Sequence, residues 1–227
     1  MNKYFAIIPA AGTGTRMPAD RPKQYLHLAG QPILTRVVNV FSTHPRIEKV
    51  IVVLHAQDRW WSSLTFSSPE KILTVIGGDE RVHSVALGLD YLSDFAKKDD
   101  WVMVHDASRP GLQAQDIDFL LSELHNHEVG GLLGLPLVDT IKRVDSINEI
   151  QETIPRDHLW QAQTPQLFRF TLLKKAIHSA LTNQAIITDE ASAIELLHLK
   201  PKIILGNRRN FKITFPEDLT LAERLFQ

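Results

Sequence analysis

Short apolar runs separated by helix-length stretches limit what this chain can become. The runs are Tyr4–Ile8, Lys49–Leu54, Ile72–Ile76, Trp101–His105, Gly131–Leu137 and Lys202–Leu205. They are continuous rather than alternating and rich in Val and Ile, as strands covered on both faces must be. Between most of them, apolar residues recur at i, i+3, i+4 spacing. Pro32–Phe41 is one such stretch, with Pro32 placed to start it. In Val82–Leu92 the residues Val82, Val85, Ala86, Leu89 and Leu92 share a face, and Ile117, Leu120, Leu121 and Leu124 form a third stripe. Strands alternating with amphipathic helices predict βαβ units and a mostly parallel, Rossmann-like α/β sheet flanked by helices. With 227 residues, the chain is read as one domain spanning 1–227.

Val138–Trp160 breaks the rhythm. It alternates apolar and polar residues around the turn-like Asp145-Ser146 and Asn148-Glu149, which predicts a hairpin. Such an excursion is either a lid or dimerisation arm, or an ordinary edge hairpin. A net charge of -1 gives no bulk attraction to nucleic acid or a membrane surface. The absence of cysteine removes disulfides, thiolate metal sites and cysteine nucleophiles. No stretch approaches the roughly 20 apolar residues that span a bilayer. Met1-Asn2-Lys3 leads into too short an apolar run for a signal peptide, so a cytoplasmic protein is expected.

In an open α/β sheet, ligands bind beyond the carboxyl ends of the strands. The loop after the first run, PAAGTGTRMPADRPKQYL (Pro9–Leu26), is therefore the first candidate site. Gly12 and Gly14 let the backbone approach a ligand and turn its N–H groups toward an anion. The dinucleotide pattern fails because Met17 stands at its third glycine, and no Gly-Lys-Ser/Thr completes a P-loop. A glycine loop carrying Arg16 and Lys23 suits a polyphosphate; the alternative is a glycine-rich turn with solvated cations. A second such loop, Gly77-Gly78-Asp79-Glu80-Arg81, leads to Ser84. Asp106, after the fourth run, could hold Mg²⁺ together with phosphates, and His105 is read as packing within the strand. Asp116-Ile117-Asp118 resembles the D-x-D of sugar transferases, but at a helix start it is read as compensating the macrodipole. Asn210–Thr214 places Lys212 in a strand-like segment before a helix opened by Pro216.

Together these stretches carry a resemblance. P-A-A-G-x-G-x-R-M, P-K-Q-Y, G-G-x-x-R-x-x-S-V, V-H-D-A-x-R-P, D-T-I-K, Q-T-P-Q, T-D-E-A-S and N-x-K-I-T occur in order between Pro9 and Thr214. The chain resembles the 2-C-methyl-D-erythritol 4-phosphate cytidylyltransferases over essentially its whole length. Ser108 and Phe211 stand where that family usually has Ala and Ile. The resemblance implies transfer of CMP from CTP to methylerythritol phosphate, with Mg²⁺ as cofactor and a homodimer built through the 138–160 arm. It implies that Arg16 and Lys23 stabilise the transition state, while Arg156 and Lys212 hold the acceptor phosphate, Arg156 crossing into the partner's site. Asp106 would place metal and substrate. Ala10, Ala11, Gly78, Asp79 and Ser84 would read cytosine, with Arg81, Arg109, Thr140 and Thr188 completing the pocket. The alternatives are a ribitol-phosphate cytidylyltransferase, whose loop tends to begin Ala-Gly-Gly, and a non-catalytic nucleotide-binding regulator.

Overall fold

A computed structural model describes residues 2–12, 17 and 20–226. The chain runs β1 (Tyr4–Pro9), β2 (His27–Leu28), β3 (Gln31–Pro32), α1 (Ile33–Ser42), β4 (Ile47–Leu54), β5 (Ile72–Ile76), α2 (Arg81–Leu92), β6 (Trp101–Val104) and α3 (Ala114–Leu124). It continues through β7 (Gly130–Pro136), β8 (Ile141–Val144), β9 (Ile150–Ile154), β10 (Trp160–Arg169), α4 (Phe170–Thr182), α5 (Glu190–Glu195), β11 (Lys202–Leu205) and α6 (Pro216–Leu225). Among the described residues the central sheet has seven strands in the order β11-β7-β10-β6-β1-β4-β5. β1 pairs in parallel with β4 and β6, β4 with β5, and β7 with β11. β10 runs antiparallel to both of its neighbours. The α/β expectation holds, with one reversed strand inside the sheet.

The two-residue period of a strand explains the continuous apolar runs. In β1, Ala6 and Ile8 join the core beneath α1 and α3, while Phe5 and Ile7 join the core beneath α2 and α4. Val50 and Val52 of β4 and Trp101 and Met103 of β6 take the first side; Ile51, Val53, Val102 and Val104 take the second. A run with a polar residue at every second position could not satisfy two such layers.

β8 and β9 form the predicted hairpin as a separate two-stranded sheet. The segment read as the hairpin, Val138–Trp160, runs one residue into the next strand, because Trp160 opens β10, which returns to the main sheet beside β7. The strand-like reading of Asn210–Thr214 is corrected as well. This segment joins no sheet; Ile213 N–H donates to the Ser108 carbonyl at 2.9 Å, and Arg208–Asn210 form a 3-10 turn capped by Asn207. Asp116 plays the modest part expected of it: at the start of α3 its carboxylate accepts from the Gln113 N–H at 2.9 Å. Among the described residues, no helix is long and apolar enough to cross a membrane.

Candidate active site

The carboxyl ends of β1, β5 and β6 open on a cavity of about 290 Å³. Parallel strands put these ends side by side, so loops far apart in sequence become its walls. Ala10, Ala11 and Gly12 come from the loop after β1, Gly78 and Asp79 from the turn between β5 and α2, and Arg81 and Ser84 from the first turn of α2. Asp106 follows β6, Lys23 lies on a 3-10 turn, and Lys212 arrives with the C-terminal segment. Most of the residues singled out in the sequence are thus brought together.

Asp106 sits at the electrostatic centre. Its Oδ1 accepts from Arg81 Nε at 3.1 Å and its Oδ2 from Arg109 Nε at 3.2 Å, and Lys212 Nζ forms an ion pair with Oδ2 at 3.1 Å. Burial works to raise the pKa of this carboxyl, but Arg81, Lys212 and Arg109 outweigh it and hold the group well below the usual carboxylate range. It is therefore an anion at any working pH. Arg81 also grips buried Glu190, Nη1 to Oε1 at 2.6 Å and Nη2 to Oε2 at 3.1 Å. Burial acts to lower the Arg81 pKa, yet Glu190 and Asp106 hold it above its ordinary value. Arg109 Nη1 donates to the Asn210 carbonyl at 2.9 Å, and Lys23 Nζ to the Ile213 carbonyl at 2.9 Å. Two bonds from opposite sides thus fix the segment that delivers Lys212.

His105 is inaccessible, and its pKa is pushed down to about 4, chiefly by burial. Its Nε2 lies 3.1 Å from the Arg109 carbonyl, which can only accept, so the proton sits on Nε2. Nδ1 then accepts from the Thr164 hydroxyl at 3.0 Å, and that hydroxyl accepts from the Asp106 N–H at 3.0 Å. His105 is neutral and structural, and it steadies the backbone that presents Asp106.

Thr188 lies apart, in an adjoining cavity of about 110 Å³ that shares Arg81 as a wall. Thr140 and Arg156 are exposed on the segment that carries the hairpin, and Arg156 donates to the Val138 carbonyl; neither lines the main cavity. Gly14 and Arg16 fall outside the described residues. A Cβ on Gly78 would approach the His83 Cβ to 2.6 Å, so glycine is required there by the chain's own packing. Sequence reasoning passed over Gln24, Glu190, Thr164 and Asn210, all buried and all bonded into the site's frame. Each stands inside one of the quoted motifs, which was the signal available.

The family described as IspD, 2-C-methyl-D-erythritol 4-phosphate cytidylyltransferase, matches residues 4–227. A protein of that name from Azoarcus sp. (strain BH72) is 46% identical, covering 97% of this chain and 93% of its own. Another, from Dechloromonas aromatica (strain RCB), is 45% identical over 100% and 99%. Among solved structures, Francisella tularensis 2-C-methyl-D-erythritol 4-phosphate cytidylyltransferase superposes with a TM-score of 0.86 at 36% identity, over 98% of this chain and 99% of that one. The enzyme of the same name from Thermus thermophilus gives 0.81 at 27% identity, over 99% and 98%.

Proposed function

This chain belongs to the 2-C-methyl-D-erythritol 4-phosphate cytidylyltransferase family, and we propose that it transfers CMP from CTP to 2-C-methyl-D-erythritol 4-phosphate. The observation that carries this reading is the convergence of Lys23, Arg81 and Lys212 on one carboxylate-centred cavity at the strand ends, beside two glycine loops. An ionised oxygen of the acceptor phosphate attacks the α-phosphorus of CTP. The bond from that phosphorus to the bridging oxygen breaks, and its electron pair leaves with pyrophosphate. The nucleophile is already deprotonated near neutral pH, so no side chain need take a proton. What remains is positioning and charge stabilisation. Arg16 and Lys23 neutralise charge developing at the α-phosphate. Lys212 and the partner subunit's Arg156 hold the acceptor phosphate in line, while Ala10, Ala11, Gly78, Asp79 and Ser84 surround the cytosine, and Arg81, Arg109, Thr140 and Thr188 complete the pocket.

Mg²⁺ fits the donor set. A carboxylate offers about four lone-pair positions; at Asp106, Arg81 and Arg109 take two, and Lys212 is ion-paired beside them. Mg²⁺ commonly binds through one or two carboxylates with the rest supplied by phosphates and water. Asp106 would hold it, and the ion would neutralise phosphate charge.

The arm completes the proposal. Val144, Ile147 and Ile150 expose apolar surface, Ile147 at 72% and Ile150 at 65%. A two-stranded hairpin is marginal in water unless something covers it. A second copy related by a twofold axis would cover both arms at once, and Arg156, outside its own chain's cavity, would serve the partner's. We place the enzyme in the cytoplasm, where CTP is available.

The test is pyrophosphate release with CTP, UTP, ATP or GTP, each with methylerythritol phosphate or ribitol phosphate. Release only with CTP and methylerythritol phosphate is expected; preference for ribitol phosphate would replace the acceptor. For the arm, inactive Arg156→Ala and Lys23→Ala chains are mixed and allowed to exchange. Recovery of activity is expected, since each mixed dimer then holds one intact site.

A further inference from the structure

We propose that Gln24 is a positioning residue that presets the backbone of the loop after β1 to receive the nucleotide; this rests on the CTP reading above. Gln24 is buried, and its Nε2 lies 2.8 Å from the Ala10 carbonyl and 3.0 Å from the Gly12 carbonyl. Both partners can only accept, so the side-chain nitrogen must face them and both of its protons are committed. One amide group therefore clamps the loop at two places two residues apart.

The clamp has a directional consequence. In a trans peptide the C=O and the following N–H point opposite ways. Drawing the Ala10 carbonyl inward to Gln24 turns the Ala11 N–H outward, and Ala11 lines the cavity. Ala10 N–H is held by the Val53 carbonyl at 2.8 Å, but at Gly12 packing leaves room, since a Cβ built there meets nothing within 4 Å among the described residues. Gln24 is in turn held from both sides. Its neighbour Lys23 donates to the Ile213 carbonyl at 2.9 Å, and Tyr25 Oη donates to Asp58 Oδ2 at 2.6 Å. Three successive side chains thus splice the loop after β1, the C-terminal segment and the loop at Asp58. The middle one, which itself borders the cavity, holds backbone that faces the ligand.

Two isosteric changes test this. Gln24→Met keeps the volume and loses both donors; Gln24→Glu keeps the shape and turns oxygen toward two carbonyls. In calorimetric titration, Gln24→Met should weaken CTP binding about tenfold or more, the cost of leaving buried acceptors unpaired in a loop that must then rearrange. The KM for the acceptor should stay within about twofold, and Gln24→Glu should be worse than Gln24→Met for CTP. In the wild-type protein labelled with ¹⁵N-alanine, the Ala11 amide resonance should move on adding CTP, and in Gln24→Met it should start from a different position. CTP affinity within about twofold of wild type in Gln24→Met, or equal loss of affinity for CTP and acceptor, overturns the proposal. If Gln24→Glu does not fold, Gln24→Met and the Ala11 resonance decide alone. Failure of the wild-type protein to bind CTP would instead strike the functional reading itself.

Discussion

Two arginine–glutamate pairs in this chain have the same length and different consequences. Arg81 meets Glu190 at 2.6 Å beneath the cavity, and Arg143 meets Glu152 at 2.6 Å on the arm. The side chains of the first pair are 31% and 1% exposed, those of the second 62% and 54%. Beneath the cavity, Glu190 has left water and depends on Arg81 for compensation, as Asp106 depends on Arg81, Arg109 and Lys212. On the arm both ions keep their hydration, and their attraction is screened. Distance alone therefore says little; what each region does with its charges follows from burial. The buried charges are compensated within one chain, whereas the arm presents apolar side chains, Ile147 and Ile150, that no described residue covers.

The sharpest way to break this comparison is to remove the buried anion. Glu190→Ala should cost about 3–5 kcal/mol, because it leaves the Arg81 charge with one partner fewer in a desolvated place. Urea unfolding measures it, and a loss below about 1 kcal/mol would make the buried pair equivalent to a surface one. Next comes Lys23→Ala, which should lower turnover about 10²–10³-fold, as loss of one preorganised donor to developing charge does. CTP binding should suffer less than turnover, since that charge peaks in the transition state. Steady-state kinetics beside calorimetric titration separates the two.

Burial also sets a pH dependence. His105, with its pKa pushed down from 6.5 to about 4 by burial, stays neutral in the folded protein. Between those values the unfolded chain binds a proton that the folded chain refuses, so stability falls as pH falls from 6.5 toward 4. The contribution is about 3 kcal/mol across that window. Buried His44, also lowered chiefly by burial, adds the same sign. Asp106 acts further down: its depressed pKa supports the fold above the ordinary carboxylate range and is lost only as pH drops through it. Unfolding free energies at pH 7 and pH 5 should differ less in His105→Gln than in the wild type.

How much of this was legible follows the same division. The apolar two-face code of β1, β4, β6 and β7 was readable because most residues of such a run must suit a core; the edge strands β5 and β11 were legible as apolar runs although they are only partly buried. β10 was not, for it carries Gln161, Gln163, Thr164, Pro165 and Gln166, a run that looks like a loop. From Gln163 to Gln166 its polar side chains are buried, with Gln166 bonding Asp189 and the Ala191 N–H, partners distant in sequence. Glu190 and Gln24 were missed for that reason: a buried polar residue declares itself only through a partner the fold brings to it. Lys212 does line the cavity, but its segment was read as the wrong element, because it is held by single bonds to Ser108, Arg109 and Lys23 rather than by a ladder.

On the arm, Ile150→Asp should weaken self-association about tenfold or more, since burying one such side chain is worth about 1.5–3 kcal/mol. Sedimentation at several concentrations reads this directly. A monomer–dimer balance unmoved by the charge would leave the apolar face without its proposed cover.

The smallest effect expected is at the second ion pair, and it sharpens the comparison most economically. Arg143→Ala removes a bond as short as that of Arg81 to Glu190, though here Nε alone donates to Glu152 Oε1, whereas Arg81 holds Glu190 with both Nη atoms. It lies across the β8–β9 ladder, where Arg143 and Glu152 are direct partners in register. An opposite-charge cross-strand pair contributes roughly 0.2–1 kcal/mol, and solvent at both side chains keeps it near the lower end. Stability should therefore shift by less than about 1 kcal/mol, and raising the salt concentration should shrink the difference further. Measured at protein concentrations where the chain self-associates, the same substitution reports on the arm's surroundings. If a partner arm lay over this pair and excluded water, the loss would grow toward that of Glu190→Ala and resist salt. A small, salt-sensitive loss in the associated state would instead locate the contact on the face bearing Ile147 and Ile150, leaving Arg143 and Glu152 in water.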